Sequence, residues 1–282
     1  MFRIIDKKRL NPSVTKMVID APLIAKKARA GQFIILRVNE FGERIPLTIA
    51  DHDPIKGTVT IIYQIVGKTT MILDKLNIGD FILDFVGPLG RASDLSGYKN
   101  VAVIGGGVGC AIAYPQAKSL YSMGAHVDII AGFRNKALII LEDEMSKVCN
   151  DLTIMTDDGS NLNKGFVTDA LINKLNLNAN YDLVIAIGPL PMMKAVCDIT
   201  KKFNIKTIVS MNSIMIDGTG MCGGCRVTVG SKVKFACVDG PDFDGHKVDF
   251  DEAIKRAATY KYEEDKQRRE ENCKLMRGFD NA

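Results

Sequence analysis

Val101-Ala102-Val103-Ile104-Gly105-Gly106-Gly107-Val108-Gly109-Cys110 joins a short apolar run of buried-strand type to a glycine turn, and residues 111–123 continue it as a helix. Strand, glycine turn and helix in that order open a parallel α/β unit, because such a turn brings backbone amides close to an anion at the helix N-terminus. Further strands are predicted at 127–131, 152–155, 183–187 and 208–211, with helices over 168–175 and 191–203. The alternation predicts a doubly wound parallel sheet over residues 98–211. Gly105, Gly107 and Cys110 stand at the three marked positions of G-x-G-x-x-G, so a cysteine replaces the last glycine. A tight turn in another kind of α/β protein would read similarly. The second strand ends in Gly132-Phe133-Arg134, without the acidic residue that grips an NAD ribose. Arg134 is either a partner for a 2′-phosphate or a solvated surface charge, which leaves NAD(H) and NADP(H) both open.

Upstream, the runs 33–38, 58–66 and 81–86 are rich in β-branched and alternating apolar residues, each preceded by a glycine-containing turn. With one short helical piece near 71–76, they predict a small antiparallel barrel over residues 1–97. Residues 212–282 hold a Gly/Cys-rich segment and then a charged helical tail over 250–274, which is either a docking helix or a solvated one. The length of 282 residues suits two domains and a small third module. Apolar residues at 46% and charged residues at 25% exclude a disordered chain. A net charge of +4, from 37 basic and 33 acidic residues, is too mild and interspersed for nucleic acid to be the main partner. The most apolar run, 101–115, is broken by glycines, so no membrane span is expected, and the first residues lack the layout of a signal peptide. A cytoplasmic location is expected, where seven cysteines serve as reduced thiols rather than a disulfide framework.

Three of those cysteines lie in Asp217-Gly218-Thr219-Gly220-Met221-Cys222-Gly223-Gly224-Cys225 and at Cys237. Plant-type [2Fe–2S] sites use C-x4-C-x2-C and a distant cysteine, and Asp217, Cys222 and Cys225 keep that spacing with a carboxylate in the first place. A carboxylate carries the same formal charge as a thiolate, and the glycines let the loop wrap closely and aim amides at sulfur. A zinc site of Cys222, Cys225, Cys237 and either His246 or Asp217 is the competing chemistry, with Cys273 a weaker candidate fourth ligand. Cys110, Cys149 and Cys197 sit among apolar residues and read as core thiols.

Two stretches of the barrel segment, Arg44-Ile45-Pro46-Leu47-Thr48 and Val66-Gly67-Lys68-Thr69-Thr70, say little alone. Followed by Gly87-Pro88-Leu89-Gly90, the glycine turn, Gly188-Pro189-Leu190-Pro191-Met192-Met193 and the cysteine segment, they resemble the ferredoxin–NADP reductase superfamily over nearly the whole chain. The branch nearest in pattern holds the dihydroorotate dehydrogenase electron-transfer subunit and the small subunit of NADH-dependent ferredoxin–NADP oxidoreductase, also called sulfide dehydrogenase beta subunit. Asp217 before Gly-Met-Cys-Gly-Gly-Cys, and Thr156-Asp157-Asp158-Gly159-Ser160, are similar to the second of these.

The resemblance implies an FAD-binding barrel, a nicotinamide nucleotide domain and a [2Fe–2S] module. It implies Thr48 near flavin N5 with Pro46 and Leu47 beside the ring, and Ile62, Tyr63 and Gln64 along the FAD. It places Gly67, Thr69 and Thr70 at the pyrophosphate, Gly105, Gly106, Gly107 and Gly109 along the dinucleotide, and Gly188, Pro189 and Met192 near the nicotinamide. Many relatives carry arginine three residues before the Ser/Thr, where this chain has Ile45, so neutralisation of the phosphate by Arg44 is in question. The implied activity is hydride exchange between nicotinamide and flavin, followed by single-electron passage to the cluster. The implied partner is a larger FAD and [4Fe–4S] subunit forming a heterodimer that couples NAD(P)H to ferredoxin, with electron bifurcation in view. Service to dihydroorotate oxidation, and a non-catalytic scaffold with structural zinc, are the alternatives.

Overall fold

The structure, a computed structural model, describes residues 1–259. The tail expected beyond Thr259, with Cys273, lies outside the described residues. The first part of the chain supplies β1 (Phe2–Asn11), β2 (Val14–Asp20), α1 (Pro22–Ala25), β3 (Phe33–Arg37), β4 (Ile45–Asp53), β5 (Thr58–Gln64), α2 (Lys68–Lys75), β6 (Phe81–Ile82) and β7 (Asp84–Leu89). The strands form one antiparallel sheet in the order β6-β1-β2-β5-β4-β3-β7. Its outermost strands are separated in sequence only by Leu83, so the sheet curls until its edges nearly meet. The single run expected over 81–86 is therefore two strands, broken where the barrel closes. Ile4, Met17, Ile34, Leu36, Ile61, Tyr63, Leu73 and Phe85 fill the interior. The helix expected near 71–76 starts earlier, at Lys68, because Thr70 Oγ1 accepts the Val66 and Gly67 amides at 3.0 and 3.1 Å.

The second part runs β8 (Asn100–Gly106), α3 (Gly109–Ser122), β9 (His126–Phe133), α4 (Glu142–Ser146), β10 (Asp151–Thr156), α5 (Val167–Asn176), β11 (Leu183–Ile187), α6 (Leu190–Lys202) and β12 (Lys206–Ser210). These strands are parallel in the order β10-β9-β8-β11-β12. Residues of β8 alternate between faces as a strand must. Val101 and Val103 pack with α3, while Ala102 and Ile104 pack with α5 and α6. Burying each such aliphatic side chain is worth roughly 1.5–3 kcal/mol, so a strand apolar on both faces is anchored at the sheet centre.

The last part holds β13 (Arg226–Val229), β14 (Lys232–Phe235), β15 (Asp242–Asp244) and α7 (Phe250–Ala257). The hairpin β13–β14 is a separate small sheet, but β15 pairs antiparallel with β12 and extends the parallel sheet by one strand. The cysteine-rich segment is thus woven into the nucleotide-type sheet. Its Cys225, Val227, Ala236 and Cys237 share a core with α5, α6 and with Phe33 and Ile35 of the barrel.

Candidate functional site

In the order β10-β9-β8-β11-β12 the direction of winding reverses between β8 and β11, which opens a crevice at their C-terminal ends. The glycine turn and Gly188-Pro189 line it, and close packing explains most of the glycines. A Cβ on Gly106 would lie 2.5 Å from Met192 Sδ, one on Gly188 2.8 Å from Met192 Cε, and one on Gly109 would strike the Ile187 carbonyl oxygen. A Cβ on Gly105 would lie 2.7 Å from Cys110 Sγ. The cysteine in place of the third glycine therefore fills space that Gly105 leaves. Gly107 differs: its φ is +57° and a Cβ there would meet nothing within 4 Å, so this backbone faces the open crevice. Arg134 is exposed at the end of β9.

On the barrel side, strand alternation sorts the expected flavin residues. Pro46 and Thr48 line a cleft of about 40 Å³ together with Phe33, Ile112 of α3, Ser210, Met211, Asn212, Met215 and Pro241. Leu47, on the opposite face of β4, packs against the barrel core with Ile45, so its side chain stands away from that cleft. By the same parity Arg44, exposed just before β4, belongs to the cleft side. In β5, Ile62 packs toward the nucleotide-type domain and Gln64 is exposed, but Tyr63 is 1% exposed inside the barrel. Its hydroxyl meets Met17 Sδ at 3.7 Å and Asp74 Oδ1 at 3.4 Å, and burial pushes it upward from the usual tyrosine range. Only the Tyr63 backbone is left for a cofactor. The Thr70 hydroxyl is likewise spent on its own helix, donating to Gly67 O at 2.9 Å while accepting two amides. At the N-terminus of α2 a Cβ on Gly67 would meet nothing within 4 Å, whereas the Thr69 side chain is buried and leaves its backbone to face a phosphate. Open backbone at Gly67 and Gly107, at the starts of α2 and of α3, fits a cofactor with two phosphate groups at each place.

The cluster candidates are assembled by the hairpin. Cys225 precedes β13 and Cys237 follows β14, and Ala236 N donates to Cys225 O at 3.0 Å, carrying the ladder one step further. Cys237 N donates to Cys225 Sγ at 3.4 Å, and both residues are 1% exposed. Burial, with the neighbouring Cys225 thiol, pushes the Cys237 thiol up to about 12. A thiol raised in this way gives up its proton readily only beside a cation. On the exposed side, Cys222 Sγ stands 3.3 Å from Asp217 Oδ1. Burial nudges the Asp217 carboxyl upward, but hydrogen bonds from Thr219 and Cys222 outweigh it and hold the group down at about 2. Asp217 Oδ2 accepts the amides of Met221 and Cys222, each at 3.1 Å. A Cβ at Gly218 would lie 2.6 Å from Ile35 Cδ1, so the loop lies directly on the barrel. Arg256 of α7 ties it from the other side, donating to Gly224 O at 3.0 Å.

Among the described residues no three His, Cys, Asp or Glu side chains converge on a point that one ion would fill. The four candidates stand instead as two pairs, Asp217 with Cys222 and Cys225 with Cys237. Two pairs of anionic donors fit a group of two irons with two protein ligands each. His246 is elsewhere: its Nε2 lies 2.9 Å from Thr200 Oγ1, and it lines an open cavity of about 190 Å³ beside α6. That corrects the expectation of His246 as a zinc ligand. Cys110 and Cys197 are buried, and desolvation pushes each thiol up to about 12, as suits core residues. Half-buried Cys149 is pushed up to about 11 for the same reason.

The sequence reading did not include the second wall of the cleft, Ser210 to Met215 with Pro241. Nor did it include Asp242, opposite Ser210 in the β12–β15 ladder. Gly240-Pro241 marks a turn, but no local pattern announces which distant residues that turn faces.

Comparison with known proteins agrees with this geometry. The family model for the iron–sulfur cluster binding domain of dihydroorotate dehydrogenase B matches residues 212–249. A Thermotoga maritima protein described as a dihydroorotate dehydrogenase B (NAD(+)) electron transfer subunit homolog is 46% identical, over 93% of this chain and 92% of its own. An uncharacterized Clostridium beijerinckii protein is 51% identical over 94% and 93%. Among solved structures, a chain from a study of flavin-based electron bifurcation in NADH-dependent reduced ferredoxin-NADP oxidoreductase is 41% identical, covers 96% of this chain and 97% of its own, and superposes with a TM-score of 0.90. Two modules open to phosphate-bearing cofactors, a paired four-donor loop and these likenesses point one way. The chain belongs to the dihydroorotate dehydrogenase B electron-transfer subunit family, within the ferredoxin–NADP reductase superfamily.

Proposed function

We propose that this chain is an electron-transfer subunit that exchanges electrons among NAD(P)H, FAD and a [2Fe–2S] cluster and passes them to a partner subunit. The observation that carries the reading is contiguity. Met211, Asn212 and Met215, at the start of the segment that reaches Asp217, line the same cleft as Thr48. A flavin there and a cluster at the loop tip would be neighbours across a few residues of one strap.

When bound, the cofactors supply hydride exchange and the change from paired to single electrons. The protein supplies position. The Gly107 backbone and the start of α3 receive the dinucleotide, while Met192, seated on Gly106 and Gly188, shapes the nicotinamide end. Thr48 offers a hydroxyl and Pro46 and Phe33 offer apolar walls to the flavin ring, and Gly67 and Thr69 meet its phosphates at α2. Asp217, Cys222, Cys225 and Cys237 hold the cluster, and Arg256 fixes the loop between them. Hydride transfer needs no protein acid or base, so orientation and exclusion of water are the catalytic contributions.

The partner in this reading is a larger FAD and [4Fe–4S] subunit in a heterodimer that reaches ferredoxin, in the cytoplasm. The bifurcation chemistry named for the 41%-identical structure supports it. Service to dihydroorotate oxidation is the second reading, favoured by the name of the 46%-identical relative. Among the described residues no helix is long and apolar enough to cross a membrane.

Purification from the native host tests the scheme. FAD, with iron and acid-labile sulfide in equal amounts, is expected, and zinc without sulfide refutes it. A pyrimidine-pathway dehydrogenase as the co-purifying partner would replace the first reading by the second. Asp217→Ala should lose the cluster absorbance and keep FAD, and an unchanged cluster spectrum would remove Asp217 from the ligand set.

A further inference from the structure

One end of the barrel is closed by α1, whose inner side packs into the interior through Ile24 and Ala25. That packing turns Leu23 outward, where it is 82% exposed. Beside it the turn between β4 and β5 carries Ile55 at its tip, 96% exposed. The two tips are neighbours. Ala21 N donates to Gly57 O at 2.9 Å, and a Cβ on Gly57 would lie 2.9 Å from Pro22 Cβ. Neither tip is loose. Asp53 Oδ1 accepts the amides of Ile55 and Lys56, each at 2.9 Å, which fixes the turn, while buried Ile24 and Ala25 anchor α1. Two firm backbones therefore hold two aliphatic side chains out in water, against the hydrophobic effect.

The surroundings of the tips are basic. Lys26 and Lys27 leave α1 exposed, Arg29 follows them, and exposed Lys56 stands next to Ile55. Against these four cations are the carboxylates of Asp20 and Asp53, and Asp53 is already engaged by two amides and by Lys56 Nζ at 3.6 Å. Asp51 of β4 pairs with Lys118. Other bare apolar residues have different company. Phe41 stands between Glu40 and Glu43 in sequence, and Leu162 follows Asp157 and Asp158. Met221 belongs to the cluster loop.

We propose that this end of the barrel docks on an anionic lipid surface, with Leu23 and Ile55 entering the headgroup layer and Lys26, Lys27, Arg29 and Lys56 meeting lipid phosphates. Shape favours lipid over a folded protein. Two separate convex tips leave gaps against a close-packed partner, whereas a bilayer closes round each of them. Charge favours a negative surface over a neutral one, because the four cations outnumber the two carboxylates. Apolar insertion and attraction to anionic lipid are each weak alone and add in one contact. Such a contact lies on the membrane and needs no helix that crosses it. It is independent of the cofactor reading, since no residue lining the cleft and no cluster candidate belongs to it.

The test uses the full chain and vesicles of phosphatidylcholine, with or without an equal part of phosphatidylglycerol. The protein should sediment with the anionic vesicles at low salt, come off as salt rises, and stay in solution beside the neutral ones. Leu23→Asp and Ile55→Asp should each weaken binding by about tenfold or more. Both positions are exposed, so the variants should fold, which circular dichroism checks. Phe41→Asp, at a bare apolar residue outside this face, should bind like the unaltered chain. The chain contains no tryptophan, so Ile55→Trp adds a single indole as reporter. Its emission should move to shorter wavelength with anionic vesicles, and that of Phe41→Trp should not. An unaltered protein that stays in solution with anionic vesicles overturns the proposal. So does undiminished binding by Leu23→Asp and Ile55→Asp, or an Ile55→Trp emission that the vesicles leave unmoved.

Discussion

Replacing Asp242 by asparagine should make the protein more stable at neutral pH. The carboxyl group sits at about 6 in the folded chain against an ordinary 3.8, with burial as the main cause. A raised value means that the folded state holds the proton more tightly than the unfolded state. The stabilisation from that proton is complete below about pH 4 and is lost as pH rises through about 6. A displacement from 3.8 to about 6 corresponds to roughly 3 kcal/mol, the cost of keeping this group ionised and buried at pH 7 and above. Asparagine has nearly the same shape, carries no charge, and can still accept from Ser93 and Gln116. The advantage of the variant should therefore grow from near zero at about pH 4 to at most about 3 kcal/mol above pH 7, a rise of several degrees in Tm. Urea unfolding of both proteins across that range, followed by circular dichroism, provides the curve. A difference that stays constant with pH would refute the reasoning, because a group with an ordinary carboxyl value contributes no slope.

Gly107→Ala costs about 1 kcal/mol in backbone strain at φ +57° but clashes with nothing, so the protein should fold and show a raised KM for NAD(P)H. Gly109→Ala meets the Ile187 carbonyl oxygen and should be the more destabilising of the two in thermal unfolding. Tyr63→Phe should lose about 1 kcal/mol from its hydroxyl contacts and leave the visible spectrum of bound flavin unchanged, whereas a shifted spectrum would place the ring at the cofactor. Arg256→Ala removes the tie to Gly224 O and should speed the loss of cluster absorbance under chelator without changing FAD content.

Much of the architecture is legible because it repeats. The β8 and β11 strands are apolar on both faces, which only the centre of a covered sheet tolerates, and their glycine-bearing ends mark the crevice. The spacing of Asp217, Cys222 and Cys225 likewise carries chemistry on its face. What pattern alone leaves undecided is direction. Pro46-Leu47-Thr48 and Ile62-Tyr63-Gln64 are each contiguous motifs, yet a strand sends neighbours to opposite sides, so Leu47 and Tyr63 turn inward to the barrel. Asp242-Phe243-Asp244 lacks an apolar run and is a strand only because β12 offers it an unpaired edge. The neighbours of Asp242 come from positions 93, 116 and 210, a juxtaposition that exists only once the modules have packed.

The strand β15 also gives the chain an order of completion. Until residues 242–244 emerge from the ribosome, β12 presents an open row of backbone donors and acceptors, the kind of edge that invites pairing with a second copy. The segment that shields it is synthesised only after Asp217, Cys222, Cys225 and Cys237. A nascent chain that stops short of Cys237 therefore always lacks β15 as well, so every chain with an incomplete cysteine segment leaves the β12 edge bare.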